Sequence, residues 1–400
     1  MAARRSWADL TPHLIAEIVG RVPCLADRVR AARGCHAWCE GVLLDPRPPQ
    51  LPWLLRPYTR SAALPPKATR RASFFCVLCD RTHCVTVPRC TGRARFFGAY
   101  PGGWLFLAYG QSCGHGLINL RTHEYLDLPD DIAWGWYGVE PRHRMFIRAA
   151  TLSAPPVPSE GCIGAAIVSI LDAEYFFGLS YITFWRMGSP LASCTRQMDA
   201  AEDVIYHNGA FHFLVNRGDL SICTPEFQNE APVEQLEVPE VFWRAYGHGL
   251  GYSRAGARYL VECRGELLMV VRMQPHHMVT SEFRVFRMKR LEKVPDAGYY
   301  LNDNLHCWTE LPTLDGRMLF VGRGCSISFE AAHFPGSQEG VYFLDDGSFH
   351  AAPMICYGYG RRQYGCCNNG VCSGPPDHAV RHWFPLQEPS TYSSPVWFLH

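Results

Sequence analysis

Asp203-Val204-Ile205-Tyr206-His207-Asn208-Gly209-Ala210-Phe211-His212-Phe213-Leu214-Val215 is two extended apolar runs joined by Asn-Gly. Asn-Gly supplies the positive φ angles of a two-residue primed turn, so the stretch predicts a tight β-hairpin. Arg217-Gly218-Asp219 then turns the chain toward a third strand, Leu220-Ser221-Ile222-Cys223. The same grammar recurs downstream. Arg264-Gly265 separates apolar residues 259–263 from 267–271, and Asp346-Gly347 separates 341–344 from Phe349. After residue 45 no long amphipathic helix is visible: 152–158 is a Ser/Pro loop, and 239–244 has room for one helical turn. The fold class is therefore mainly β. Roughly 320 residues of short, punctuated strands exceed one sandwich and suit closed radial repetition, which protects sheet edges; a β-propeller of roughly six blades is expected.

Ahead of this lies a small all-α segment. Leu10, Leu14, Ile15, Ile18, Val19 and Val22 share one side of a helix, with Thr11 as N-cap, Pro12 at the first helical position and Pro23 as terminator. Leu25, Val29 and Ala32 continue at similar spacing toward Cys35, Ala37 and Trp38, which predicts two or three short helices. So small a bundle buries little surface alone, and its apolar stripe is expected to serve a partner as well as its own fold. Residues 45–72 form a connector with seven Pro residues and with Arg47, Arg56, Arg60, Lys67, Arg70 and Arg71 against the single acid Asp45. Its composition is that of a semi-rigid, solvated spacer. The domain reading is thus 1–44 helical, 45–72 connector and 73–400 propeller.

Composition narrows the function classes. With 48% hydrophobic and 19% charged residues over 400 positions, the chain can bury a large core. A formal charge of +1 argues against a dedicated nucleic-acid binder. No apolar run approaches the ~20 residues of a membrane span. Arg4 and Arg5 are followed at once by Trp7 and Asp9, without the apolar core of a leader, so a cytosolic or nuclear location is expected.

Eighteen Cys residues spread through such a chain favour free thiols, most of them packing residues. Cys76-x-x-Cys79 with His83, Cys84 and Cys90 offers zinc-ligand types, but the second ligand pair at longer spacing is missing. Strands at 74–78 and 83–87 with a turn at Asp80-Arg81-Thr82 account for these positions without metal. Cys366, Cys367 and Cys372 sit in a Gly/Asn-rich loop without a His or carboxylate to complete a tetrahedron. No metal and no cofactor is expected.

Leu10-x-Pro12-x-Leu14-Ile15-x-x-Ile18-x-x-x-Val22-Pro23, then Asp27 and Cys35-x-x-Trp38, resembles the F-box. The resemblance implies docking of a Skp-type adaptor through Leu10, Pro12, Leu14, Ile15, Ile18, Val22, Pro23, Cys35 and Trp38, and through it a cullin-based ubiquitin ligase. One departure is Gly34, where the family usually carries an aliphatic residue; within a helix Gly costs about 0.5–1 kcal/mol relative to Ala. Farther on, Gly102-Gly103-Trp104-Leu105, Leu117-Ile118-Asn119-Leu120-Arg121-Thr122 and Leu128-Pro129 resemble the opening of a plant KIB-type β-propeller, a domain found behind F-boxes. Residues 203–209, 258–262, 283–286, 319–322, 326–328, 341–346 and 395–399 continue that resemblance in order.

Catalytic signatures are weak. Asp130-Asp131 and Asp345-Asp346 are adjacent carboxylates at turns, where neighbouring strand residues face opposite ways. No Gly-x-Ser-x-Gly elbow is present, His276-His277 reads as loop surface, and the Gly-rich 98–103 lacks the ending of a phosphate cradle. The Trp residues, Trp104 to Trp397, read as blade packing, with a loop such as 134–138 able to offer anchors to a partner. The function expected is a non-catalytic substrate-recognition subunit of a Skp–cullin–F-box ligase, with an unknown protein substrate on the propeller and neither nucleic acid nor membrane as partner. The alternative is a propeller scaffold with a degenerate F-box, outside ubiquitination.

Overall fold

The computed structural model describes residues 6–45, 50–58, 71–87, 93–133, 142–156, 161–170, 180–198, 201–215, 218–228, 235–237, 240–245, 255–274, 279–291, 304–346, 363–381 and 384–400. Three helices come first: α1 (Pro12–Gly20), α2 (Leu25–Ala32) and α3 (His36–Leu44). Pro12 does open α1, whereas Thr11 stands at the N-cap position without a side-chain bond. The entry is instead fixed one turn earlier, where Ser6 and Asp9 cap each other around the short 3-10 turn Trp7–Asp9. Ile15 and Val19, one turn apart, are buried. Ile15 reaches α3 at Gly41, where an added Cβ would stand 2.5 Å from Ile15 Cγ2, so only glycine lets the two helices approach. The guanidinium of Arg28 ties α2 down, donating to Val22 O at 2.7 Å and pairing with Asp45 at the end of α3.

Gly34 is not in a helix interior. It lies between Arg33, the C-cap of α2, and Cys35, the N-cap of α3, and its N–H donates to Ala31 O at 3.0 Å. The helix cost expected from the sequence does not apply there.

Five sheets of four or more strands follow. The largest, of eight strands, is two four-stranded units joined edge to edge by a parallel pairing of Glu240–Ala245 with Asn304–Glu310. Counted so, the described residues hold six radial units, against the roughly six expected. The innermost strands of successive units, among them Arg95–Tyr100, Arg142–Leu152, Asp203–His207 and Ala255–Cys263, pack side by side around the axis. The burial patterns explain why. Trp104–Ala108, Ala210–Val215 and Arg317–Val321 are buried along their whole length, as strands must be when sheets pack on both faces.

The hairpins read from sequence are present: Asn208 and Gly209 take φ values of 47° and 81°, Arg264 and Gly265 of 56° and 76°. The turn expected at Asp80-Arg81-Thr82 falls earlier, between Arg71–Cys76 and Arg81–Thr86, with Asp80 at φ 53°. Gly340–Phe343 pairs with Gly370–Cys372, and Phe349, the expected second arm of the Asp346-Gly347 hairpin, lies outside the described residues.

The connector reading changes. Trp53–Arg56, in the middle of residues 45–72, is a strand that pairs with Arg71–Cys76 on one side and Val396–Phe398 on the other. Trp53, Leu54 and Leu55 are buried despite Pro52 and Pro57 on either side. The end of the chain thereby closes the ring against its beginning, and Trp397 secures the joint by donating Nε1–H to Val321 O of the last unit at 2.9 Å. No helix among the described residues is long and apolar enough to cross a membrane.

Candidate functional site

Three places concentrate chemistry or unpartnered surface. The first is the helical segment. Of the nine large hydrophobic side chains exposed among the described residues, Trp7, Leu14, Val29, Leu43 and Leu44 belong to the first 45 positions. Leu43 is 78% exposed and Leu44 54%, on a helix whose other face is already used against α1. Val29, Ala32, Val42 and Leu43 line a groove of about 670 Å³ whose polar rim includes Arg28, Asp45 and Arg121. The residues singled out by sequence divide accordingly. Leu14 and Pro23 are exposed, Leu10, Pro12, Ile18, Val22, Cys35 and Trp38 are half-buried, and Ile15 is fully buried as a core residue of the bundle. Trp38 donates its indole N–H to Trp7 O at 3.1 Å. Leu43 and Leu44 were not legible as a surface, because they lie beyond the motif that directed attention to α1.

The second is the axial mouth of the propeller. A cavity of about 430 Å³ opens among inner-strand ends, lined by Tyr100, Thr151, Tyr206, Glu262 and Ser326 from separate units. Below it the axis is filled by buried ionic groups that bridge neighbouring units. Arg95 donates to Gln111 O at 2.6 Å and to Ile147 O at 2.8 Å, with its guanidinium 3.9 Å over the Phe146 ring. Arg272 donates to Leu344 O at 2.6 Å and to Thr280 Oγ1 at 2.7 Å, while Arg258 pairs with Glu202 at 2.7 Å.

Asp203 gathers the backbone N–H groups of Val204, Leu260 and Gly324 at 2.9, 2.8 and 2.6 Å, so one carboxylate joins three successive units. Burial pushes its carboxyl up to about 7 against the pull of those donors and of Arg323. Asp346, expected to serve a turn, is instead buried: Tyr259 donates to it at 2.5 Å, Arg272 stands 3.4 Å away, and burial pushes its carboxyl up. Its neighbour Asp345 does serve a turn, accepting from the N–H groups of Cys367 and Asn368 at 2.9 and 3.0 Å. Asp130 likewise accepts from Gly114 and His115 at 2.9 Å each. Around Asp346, Arg148 and Arg323 the axis leaves a cavity of only about 20 Å³, room for about one water molecule.

The third is a thiol cluster where helix meets propeller. Cys24, the N-cap residue of α2, stands 3.9 Å (Sγ–Sγ) from Cys76 and 3.3 Å (Sγ–Nε2) from His83, and Cys79 Sγ lies 3.2 Å from the same ring nitrogen. The hydrogen bond from the Cys76 thiol holds Cys24 well below the usual thiol range, and that bond together with burial pushes Cys76 far up. The set named from sequence is therefore corrected. Cys84 points to the exposed face of its strand, Cys90 lies outside the described residues, and the missing partner is Cys24. Cys366 and Cys372 are buried packing residues, and Cys367 is exposed. His276, His277 and the aromatic loop 134–138 also lie outside the described residues.

The family model described as KIB1-4 beta-propeller matches residues 73–368. The chain belongs to the KIB1-4 β-propeller family. The match begins downstream of Trp53–Arg56 and ends upstream of Val396–Phe398, so the two strands that close the KIB1-4 ring lie outside it. A comparison with curated proteins finds no match. A KIB1-4 propeller supports a protein-interaction role, and among the described residues the axial mouth and the groove on the helical segment are open to solvent.

Proposed function

We propose that this protein is a non-catalytic substrate-recognition subunit of a Skp–cullin–F-box ubiquitin ligase, acting in the cytosol or nucleus. In that reading the helical segment binds the Skp-type adaptor and the propeller mouth binds a protein substrate, whose lysines are then held near the conjugating enzyme; bound geometry supplies effective concentration. The observation that carries it is the apolar surface on the bundle. Leu14, Val29, Leu43 and Leu44 are exposed on three short helices, whereas among the described residues of the whole propeller only Tyr125, Val241, Val279 and Leu386 are exposed large hydrophobics. An apolar helical face left in solvent is the ordinary preparation for a helix-mediated protein contact. The F-box resemblance of residues 10–38 gives that contact its partner class.

The test is co-precipitation of the full chain with a Skp-type adaptor, beside Leu14→Asp and Leu43→Asp. Adaptor recovery should fall at least tenfold in one or both variants, since a charge buried against an apolar partner is costly. Recovery equal to background from the unaltered chain would sink the ligase reading and leave a propeller scaffold.

A further inference from the structure

We propose that Cys24, Cys76, Cys79 and His83 bind one zinc ion, which fastens the helical segment to the first propeller unit. Each residue offers one ligand atom, and the four atoms all lie within 4.8 Å of one another. Tetrahedral zinc holds sulfur at about 2.3 Å and imidazole nitrogen at about 2.0–2.1 Å, which sets S···S edges of about 3.8 Å and S···N edges of about 3.5 Å. The Cys24–Cys76, Cys24–His83 and Cys79–His83 edges of 3.9, 3.3 and 3.2 Å are close to those of that tetrahedron. Three thiols and one imidazole are also the donor set that selects zinc over hard cations.

The local fold explains the convergence. Cys76 ends the strand Arg71–Cys76, Cys79 lies in the turn, and His83 returns on Arg81–Thr86 opposite Phe74, so three donors crown one hairpin. The N-terminus of α2 delivers the fourth. Cys24 and Cys76 have no exposed surface, His83 is 2% exposed and Cys79 is half-buried, and four protein donors leave no open coordination position, as in structural zinc sites. Strand alternation puts Cys84 on the opposite, solvent face and excludes it. Three thiolates around a dication leave one negative charge, and Arg30 stands beside it, 3.3 Å from His83 Nδ1. With Nε2 on the metal, Nδ1 carries the ring proton. Arg30, 57% exposed and already 2.7 Å from Asp27, then withdraws from the ring to that carboxylate.

Zinc content of the full chain, purified without chelator after zinc addition, tests this directly, with cobalt(II) substitution as the spectroscopic check. About one equivalent per chain and the visible ligand-field bands of tetrahedral sulfur-rich cobalt are expected. Cys24→Ser and Cys79→Ser should each lose the metal, and Cys84→Ser should retain it. Chelation of the unaltered chain should lower its unfolding midpoint, a readout that survives if a variant fails to fold. Folded protein without zinc, a Cys24–Cys76 disulfide in its place, or full zinc content in folded Cys24→Ser would overturn the assignment.

Discussion

The helical segment and the propeller solve the same problem in opposite ways. Inner strands of successive propeller units pack side by side, and the ring closes where Val396–Phe398 from the end of the chain pairs with Trp53–Arg56 in the first unit's sheet. The helical segment has three helices of eight or nine residues, a core built on Ile15 and Val19, and apolar side chains left over. One region is complete when its ring closes. The other leaves Leu14, Val29, Leu43 and Leu44 in solvent, an asymmetry that the proposed two-ended adaptor would use.

The contrast breaks first at the ring joint. Trp397 has no exposed surface, packs edge-on at 5.1 Å against Phe320 and donates to Val321. Trp397→Ala removes a large buried ring and an interunit hydrogen bond, and should cost about 3–5 kcal/mol in urea unfolding followed by tryptophan fluorescence. An effect under about 1 kcal/mol would mean that the ring does not depend on its closure.

Asp203 tests the axis next. Asp203→Ala leaves three backbone donors without their acceptor and should cost on the order of 3 kcal/mol. The pH dependence has a definite sign. Its carboxyl stands at about 7 in the folded chain, against an ordinary value of 3.8, because burial disfavours the charge. Between these values the folded state binds more protons than the unfolded one, so this group makes stability fall as pH rises from about 4 to 7. Asp203→Asn removes the titration and should flatten the profile by up to about 1.4 kcal/mol per pH unit. A profile that is unchanged would show that Asp203 is ionised throughout.

The helical side should answer differently. Leu43→Asp, at a position 78% exposed, should leave stability within about 0.5 kcal/mol by urea unfolding. A loss as large as that at Trp397 would show that the leucine is covered by the rest of the chain, and the contrast between the two regions would fail.

What the sequence disclosed follows the range of the forces involved. Asn208-Gly209, Arg264-Gly265 and Pro12 announce themselves because a φ angle or a missing N–H is decided by the residue itself. The strand at Trp53–Arg56 was hidden, because Pro-rich flanks advertise a linker while its pairing partner Val396–Phe398 lies at the other end of the chain. The buried arginines were hidden too. Nothing around Arg95 or Arg272 in the sequence marks them for burial, because the carbonyls and rings that receive them come from the neighbouring unit. At the thiol cluster three of four members were legible from spacing, and the fourth sits 52 residues before Cys76 on another element. The predicted docking face was located through α1, yet its most exposed apolar side chain, Leu43, belongs to α3.

Gly34 gives the smallest and most discriminating change. If it stood inside a docking helix, alanine would improve the helix by about 0.5–1 kcal/mol. It stands instead in the turn between α2 and α3, where an added Cβ meets Ala31 O at 3.2 Å. The loss of unfolded-state freedom that favours alanine by about 0.4–1 kcal/mol is then opposed by a tight backbone contact. Gly34→Ala should change stability by less than about 0.5 kcal/mol and leave adaptor recovery unaltered, because the position offers no side chain to either face. A gain of a full kcal/mol in urea unfolding, or a shift in adaptor recovery, would put a continuous helix there and move the docking surface toward Cys35 and Trp38.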